Sequence, residues 1–450
     1  MQTIIRANSP GPLARTWSVP IENRGAGPRS GPAEERRGET LKTISGEALA
    51  RVLAALPGTP RVVASGNYAT PFTVLRLVDE ALPEFKLFIL NAQRGIPNRE
   101  GIRYETPFIG SGMRGNERLA YYPCRLSRVP HLLTEKLPPD VVILHSSRPV
   151  DGCVSLGIET NIMPAAIEAA RARGGLVIAQ ANPGMPVTYG DAMIPLEQID
   201  YLIEVDEPVA QHPIGAPDEV STSIGARIAR LVPEAASLQL GIGAIPDAVL
   251  RALLDGRGYR IWSEMFSDGV LALEKAGCLD PSTPITASFS FGSAELYDWM
   301  DRNPRVLMLR TEKTNDPGAI SQHPRVFSVN GGLQVDLFGQ ANGTRAGQRL
   351  YSGFGGQPDF VVGAHHSPGG RAVIALRSWH AKSGTSAVVP VLPTAATSFQ
   401  HSYIVTENGV AEVWGNDSLT QAQNIVDSAA HPNARDYLRE EGRKLGMALR

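Results

Sequence analysis

Two hydrophobic rhythms alternate along the first half of the chain. ISGEALARVLAAL (44–56) repeats its apolar residues at helical spacing behind Ser45, which predicts an amphipathic helix with a serine cap. PRVVASGN (60–67), FKLFILNA (85–92), DVVILHSS (140–147) and GLVIAQAN (175–182) are short apolar runs, and IMPAAIEAARARG (162–174) returns to the helical period. Short strands alternating with helices predict a parallel sheet covered on both faces. The runs end at Gly66, His145 and Asn182 in polar turns. In open parallel sheets such carboxyl-end turns are where ligands bind.

A second series follows the charged, proline-containing stretch EVDEPVAQHPIGAPDEVST (204–222). SIGARIARLV reads as a helix, ASLQLGIGAIPDAVLRALLDG (236–256) as strand, glycine turn and helix. Further apolar runs lie in TPITASFSFGS (283–293), PRVLMLR (304–310), VNGGLQVDLFGQ (329–340), RAVIALR (371–377), SAVVPVL (386–392) and SYIVTENG (402–409). The predicted fold is therefore α/β, with two open domains built on largely parallel sheets, residues 41–215 and 216–450. Residues 1–40, rich in glycine and proline and poor in apolar periodicity, are expected to be a flexible extension, because they bury too little to offset ordering entropy. No residue-level repeat relates the two halves.

Bulk properties narrow the function classes. A chain of 450 residues exceeds what one core usually serves. A formal net charge of −2 supplies no attraction for nucleic acid or a membrane surface. No apolar run approaches the roughly 18 residues of a membrane span, and the N-terminus lacks the apolar core of a signal peptide. Cys124, Cys153 and Cys278 are scattered without CxxC spacing, which indicates neither a disulfide framework nor a zinc site. The cytoplasm is the expected compartment.

Several stretches could carry chemistry. In LQLGIGAIPDAV (238–249), Gly241 and Gly243 allow close approach of the backbone to a ligand, and Pro246 suits a first helical turn. The free N–H groups there favour an anion; a tight strand-to-helix turn is the plainer alternative. Proline at 246, where a dinucleotide fingerprint needs glycine, argues against a nicotinamide site. YSGFGGQPDF (351–360) clusters Gly353, Gly355 and Gly356 too irregularly for a phosphate loop, and by itself suits a hairpin or bulge. Asp191, Glu197, Asp200, Glu204 and Asp206 have no histidine among them and are expected on a solvated helix face. His365 and His366 are expected on opposite faces of a strand, without metal-ligand partners. No G-x-S-x-G elbow is present. IWSEMFSDG (261–269) leaves Glu264 unexplained by the Asp268-Gly269 turn beside it. From residue type alone it is a strand-end acid awaiting a lysine or arginine.

LQLGIGAIPDAV, then SEMFSDGV, then SGFGGQPDF, in this order, resembles the C-terminal half of the acetyl-CoA hydrolase/transferase family of class I CoA-transferases. The likeness extends back through MPVTYGD (185–191) and IDYLIEVDEP and forward through VNGGLQVDLFGQ and IVTENGVA (404–411). It is strong over residues 140–435, looser over 42–139 and absent from 1–40. The resemblance implies that Glu264 is a covalent nucleophile and that Ile242 and Gly356 offer backbone N–H groups to oxyanions. It implies coenzyme A contacts from Leu238, Gln239, Leu240, Gly241, Ile242, Asn330, Ser352, Gly356 and Lys382. It also implies no permanently bound cofactor, coenzyme A and acyl-CoA as substrates with small carboxylic acids, and a homo-oligomer (a dimer or dimer of dimers). Met185 and Tyr189 are expected along the acyl pocket. The implied activity is transfer of CoA between an acyl-CoA and a carboxylic acid. Hydrolysis of acyl-CoA by the same glutamate, or CoA binding without catalysis, are the alternatives. Trp262 and Ser352 depart from residues common in the family.

Overall fold

Each apolar run closes as a short strand because a buried parallel sheet accepts side chains on both faces. The computed structural model describes residues 42–212, 215–394 and 400–450, all within one compact unit; the expected N-terminal extension lies outside them. Strands Arg61–Ala64, Phe85–Phe88, Val141–Ser146 and Leu176–Ala181 fall within the four runs of the first half. Helices Gly46–Ala54 and Met163–Arg171 follow the 3.6-residue period, and the Ser45 hydroxyl accepts the Ala48 N–H at 3.3 Å as the cap.

Eight strands form the first sheet. In spatial order they are Lys42–Thr43, Tyr201–Glu204, Leu176–Ala181, Val141–Ser146, Arg61–Ala64, Phe85–Phe88, Ile102–Thr106 and Leu119–Tyr121. All seven pairings are parallel. The second sheet has nine strands, and only its edge strand Val410–Glu412 runs antiparallel. Its centre is Val326–Gly331, Ser237–Leu240 and Arg260–Trp262, with Ile285–Ala287 and Val306–Met308 beyond. The far edge is Tyr189–Gly190, so a loop from the first half of the chain completes the sheet of the second. Side chains from both halves share one continuous core, from Val63 and Val142 to Leu238 and Ile261.

Three local expectations are corrected. The acidic segment forms strand Met193–Pro195, a single 3₁₀ turn and strand Tyr201–Glu204 rather than a helix face. Its acids are used one by one: Asp200 pairs with Arg171 at 2.8 Å, Asp191 with Lys313 at 2.7 Å. His365 and His366 close the helix Gln357–His366 instead of a strand, since the run from Pro358 to Ala364 packs as a helix against Val326 and Ala372. The glycine cluster at 353–356 is neither hairpin nor bulge; it is the loop that feeds this helix. Among the described residues no helix is long and apolar enough to cross a membrane.

Candidate active site

The carboxyl ends of both sheets open into one cleft of about 490 Å³. From the second sheet it receives Gln239 to Ile242, Glu264 and Asn330; from the first, Asn67, Leu90 and Asn91, with Asn161 close by. Loop 351–357 supplies a further wall, with Phe108, Arg114 and Leu126 from the first half beside it.

Glu264 sits two residues past strand Arg260–Trp262, where the parallel ladder stops and the side chain can turn toward the cleft. Its backbone is pinned: the Ser288 N–H and hydroxyl both donate to the Glu264 carbonyl at 2.9 Å, and the Phe289 N–H does so at 3.1 Å. Its carboxylate accepts the Asn315 amide N–H at 2.9 Å and the backbone N–H of Gly356. The Thr314 hydroxyl donates to the Asn315 carbonyl oxygen at 2.8 Å, which fixes which way that amide faces. Burial pushes the Glu264 carboxyl up to about 7, against the lowering by Asn315 and Gly356; the neighbouring Asp359 carboxylate adds to the rise. The partners are thus an amide and a backbone N–H, not the lysine or arginine that a strand-end acid would take.

Gly356 is required by this contact. A Cβ there would lie 1.6 Å from Glu264 Oε2 and 2.3 Å from Asn315 Nδ2. Three residues on, Asp359 is fully buried in the helix's first turn and accepts the Ser127 N–H at 3.0 Å and its hydroxyl at 2.7 Å. That contact ties the nucleophile's loop to the first half of the chain. Burial raises the Asp359 carboxyl to about 6.

On the same side of the cleft, after strand Ser237–Leu240 of the second sheet, the turn Gly241-Ile242-Gly243 precedes the helix Ala244–Ala252, with Gly243 at φ 116°, a conformation that excludes most side chains. Ile242 is 47% exposed at this turn and lines the cleft between two glycines. Gln239 and Asn330 also line the cleft; the Asn330 amide donates to the Ser328 hydroxyl at 2.8 Å, and Ser328 bonds Gln239 in turn.

The structure brings Gln239, Leu240, Gly241, Ile242, Glu264, Asn330, Ser352 and Gly356 together around this one cleft. Leu238 is not on its wall; alternation along the strand turns it into the core with Leu250 and Ile261. Lys382 is exposed on the hairpin that joins Trp379–His380 to Thr385–Ser386, outside the cleft lining. Met185 and Tyr189 do not line it either. Met185 is buried against Gly157 beside a separate cavity, and Tyr189 pairs with Leu307 at the sheet edge.

Sequence reading missed the opposite wall. Asn67, Asn91 and Asn161 adopt left-handed backbone at φ 46°, 46° and 36°, a conformation asparagine tolerates better than most residues. Glu159, fully buried, accepts the Asn67 amide at 2.8 Å and the Asn161 amide at 3.2 Å. Burial pushes its carboxyl up to about 8, and the Glu264 charge adds to the rise. Asparagine directly after an apolar strand was the available signal for Asn67 and Asn91; nothing local marks Glu159, Asn161 or Asn315.

The chain matches two family descriptions: the acetyl-CoA hydrolase/transferase N-terminal domain over residues 89–213 and the C-terminal domain over residues 292–442. It is 36% identical over 370 residues to a 4-hydroxybutyrate coenzyme A transferase of Clostridium kluyveri, spanning 78% of this chain and 85% of that one. An acetyl-CoA hydrolase of Candida albicans is 30% identical over 212 residues, 45% of this chain and 40% of the relative. The crystal structure of a 4-hydroxybutyrate CoA-transferase from Porphyromonas gingivalis superposes with a TM-score of 0.74 at 30% identity, covering 92% of this chain and 99% of that one. With both domain descriptions matched, and a relative this similar over most of its length, the chain belongs to the acetyl-CoA hydrolase/transferase family of enzymes.

Proposed function

We propose that this enzyme moves CoA between an acyl-CoA and a short or medium carboxylic acid, acetate among them, through a thioester on Glu264. One observation carries the reading: a buried carboxylate at the floor of a cleft, held by one amide and one backbone N–H, with no titratable base aligned on it. Such a group is a nucleophile rather than half of an ion pair. Its carboxylate attacks the thioester carbonyl; the C–S bond breaks, leaving a mixed anhydride on Glu264 and free CoA thiolate. The thiolate then attacks the glutamyl carbonyl and expels the first acid as its carboxylate. An acceptor carboxylate attacks the resulting glutamyl-CoA, and the same two steps run in reverse.

The backbone N–H of Ile242 is the candidate donor for the tetrahedral oxyanions, at the glycine turn that lines the same cleft as Glu264. That of Gly356 begins on the carboxylate itself and passes to the glutamyl oxyanion as charge develops there. One such donor contributes on the order of 10²–10³ in rate. Gln239, Leu240, Gly241, Asn330 and Ser352 are placed to contact the pantetheine end of CoA. Lys382, and Leu238 through its backbone, complete the CoA contacts in this reading, Lys382 as a point charge for a phosphate. No resident cofactor is needed. The enzyme is taken to act in the cytoplasm as a homo-oligomer.

Hydrolysis is the second reading, favoured by the same nucleophile and by the family's inclusion of hydrolases; it differs only in water taking the acceptor's place. Incubation with acetyl-CoA or butyryl-CoA, with and without acetate, followed by mass analysis of the peptide containing Glu264, tests both. A CoA adduct that persists until acid is added supports transfer. Thiol release that needs no acid establishes hydrolysis. Turnover with no CoA ever found on Glu264 removes the covalent route.

A further inference from the structure

The acceptor acid is an anion, and it must approach a site already occupied by carboxyl groups. Arg114 is the one cationic residue among the described residues lining the cleft; it is exposed and stacked over Tyr351 at 4.0 Å. The enclosed part of the wall therefore offers a carboxylate only neutral donors.

Those donors are organised. The Asn91 amide donates to the Asn67 carbonyl oxygen at 2.7 Å, and the Asn67 amide donates to Glu159 at 2.8 Å. From the other side the Thr311 hydroxyl donates to the Asn161 carbonyl oxygen at 2.6 Å, and the Asn161 amide donates to Glu159 at 3.2 Å. Both amide oxygens are engaged away from Glu159, so both nitrogens converge on it. Each amide nitrogen has two N–H groups, and Glu159 takes one, which leaves a second on each of two residues that line the cleft. The segment is strapped to the nucleophile: Thr160 and Asn161 both donate backbone N–H groups to the Ser288 carbonyl at 3.0 Å, and Ser288 donates to Glu264. Three of the seven non-glycine residues with left-handed backbone among the described residues are these asparagines, gathered in one network at this wall, and functional sites commonly retain such conformations.

We propose that Asn67 and Asn161 form the docking site for the incoming carboxylate, and that Glu159 is the positioning residue that holds their free N–H groups toward it. The inference rests on the covalent role of Glu264 given above. Glu159→Gln keeps the Asn67 contact but bonds Asn161 only if that amide turns over, which passes the Asn161 nitrogen to Thr311 and leaves Asn67 as the one docking donor. Glu159→Leu keeps neither contact. Asn67→Asp keeps a residue suited to left-handed backbone but replaces the donor with an anion.

The test loads the enzyme with CoA from butyryl-CoA and follows discharge of the CoA adduct by mass spectrometry, once by butyrate and once by hydroxylamine, a neutral nucleophile that needs no carboxylate docking. In Glu159→Leu and Asn67→Asp, the KM for butyrate is expected to rise about tenfold or more, while discharge by hydroxylamine stays within about threefold of wild type. Glu159→Gln is expected to raise the butyrate KM less than Glu159→Leu does. An unchanged butyrate KM in Asn67→Asp, or an equal loss with butyrate and hydroxylamine, overturns the docking site. If the wild type never carries CoA, the Glu264 reading fails by itself, and binding of free butyrate decides the docking site. In that case ligand-observed NMR showing weaker butyrate binding to Asn67→Asp upholds it, and unchanged binding refutes it.

Discussion

The two walls of the cleft are built by different means. The wall from the second half of the chain is largely backbone: the turn Gly241-Ile242-Gly243 and the loop Gly353 to Gly356 line the cleft beside a single side chain, Glu264, to which Gly356 donates its N–H. The wall from the first sheet is side-chain amide: Asn67, Asn91 and Asn161 arranged on a buried carboxyl. Backbone donors suit what every substrate shares, the thioester carbonyl and its oxyanion, because they stay fixed whatever is bound. Side-chain donors suit what varies, since one substitution re-shapes them without moving a strand. Division of a site into an invariant and an adjustable wall follows from that difference.

The comparison is most directly broken at the nucleophile. Glu264→Gln is expected to lower kcat by at least about 10⁴, since no other group can take its covalent role; turnover within about tenfold of wild type would assign the chemistry elsewhere. Next comes the backbone wall. Gly356→Ala places a methyl 1.6 Å from Glu264 Oε2, and an expected loss of about 10²–10³ in kcat follows from displacing both carboxylate and donor. Steady-state kinetics on folded protein checks it.

A smaller effect distinguishes orientation from chemistry. With the Glu264 carboxyl raised to about 7, only the ionised form attacks, so kcat/KM for acyl-CoA is expected to rise with pH up to about 7 and then level. The Asn315 amide lowers that value, so Asn315→Ala is expected to move the rising limb to higher pH and cost about tenfold at neutral pH. A limb that stays in place would mean that Asn315 does not touch the charged form. Stability should respond with the opposite sign. A carboxyl raised by folding stabilises only while protonated, so this contribution is lost as pH rises from about 4.5 through about 7 for Glu264 and about 8 for Glu159. Glu264→Gln is therefore expected to raise the melting temperature at pH 8 by about 1–2 °C, with little change at pH 5. The smallest effect is expected outside the cleft: Lys382→Ala should raise the KM for acyl-CoA about two- to fivefold, without changing kcat, and less at high salt.

Much of the fold was legible because its determinants are local. Hydrophobic period and glycine turns mark strand ends, and the strands at Val141–Ser146 and Leu176–Ala181 follow directly from them. Where local pattern misled, longer contacts decided. The run ending in His365 and His366 became a helix because its apolar residues pack on Ile320 and Val326. Met185, beside a motif that belongs to the family, was drawn into the core by the space at Gly157.

By itself the sequence determined the alternation of strands and helices, the glycine turns and the identity of the acid between them, since each depends on neighbours a few residues apart. Only the tertiary structure decided that Asn315, 51 positions away, would orient Glu264, and that Asn67 and Glu159, 92 positions apart, would bond across the opposite wall. Those pairings depend on which strand ends lie side by side in two sheets, and strand order is set by global packing rather than by any stretch of chain.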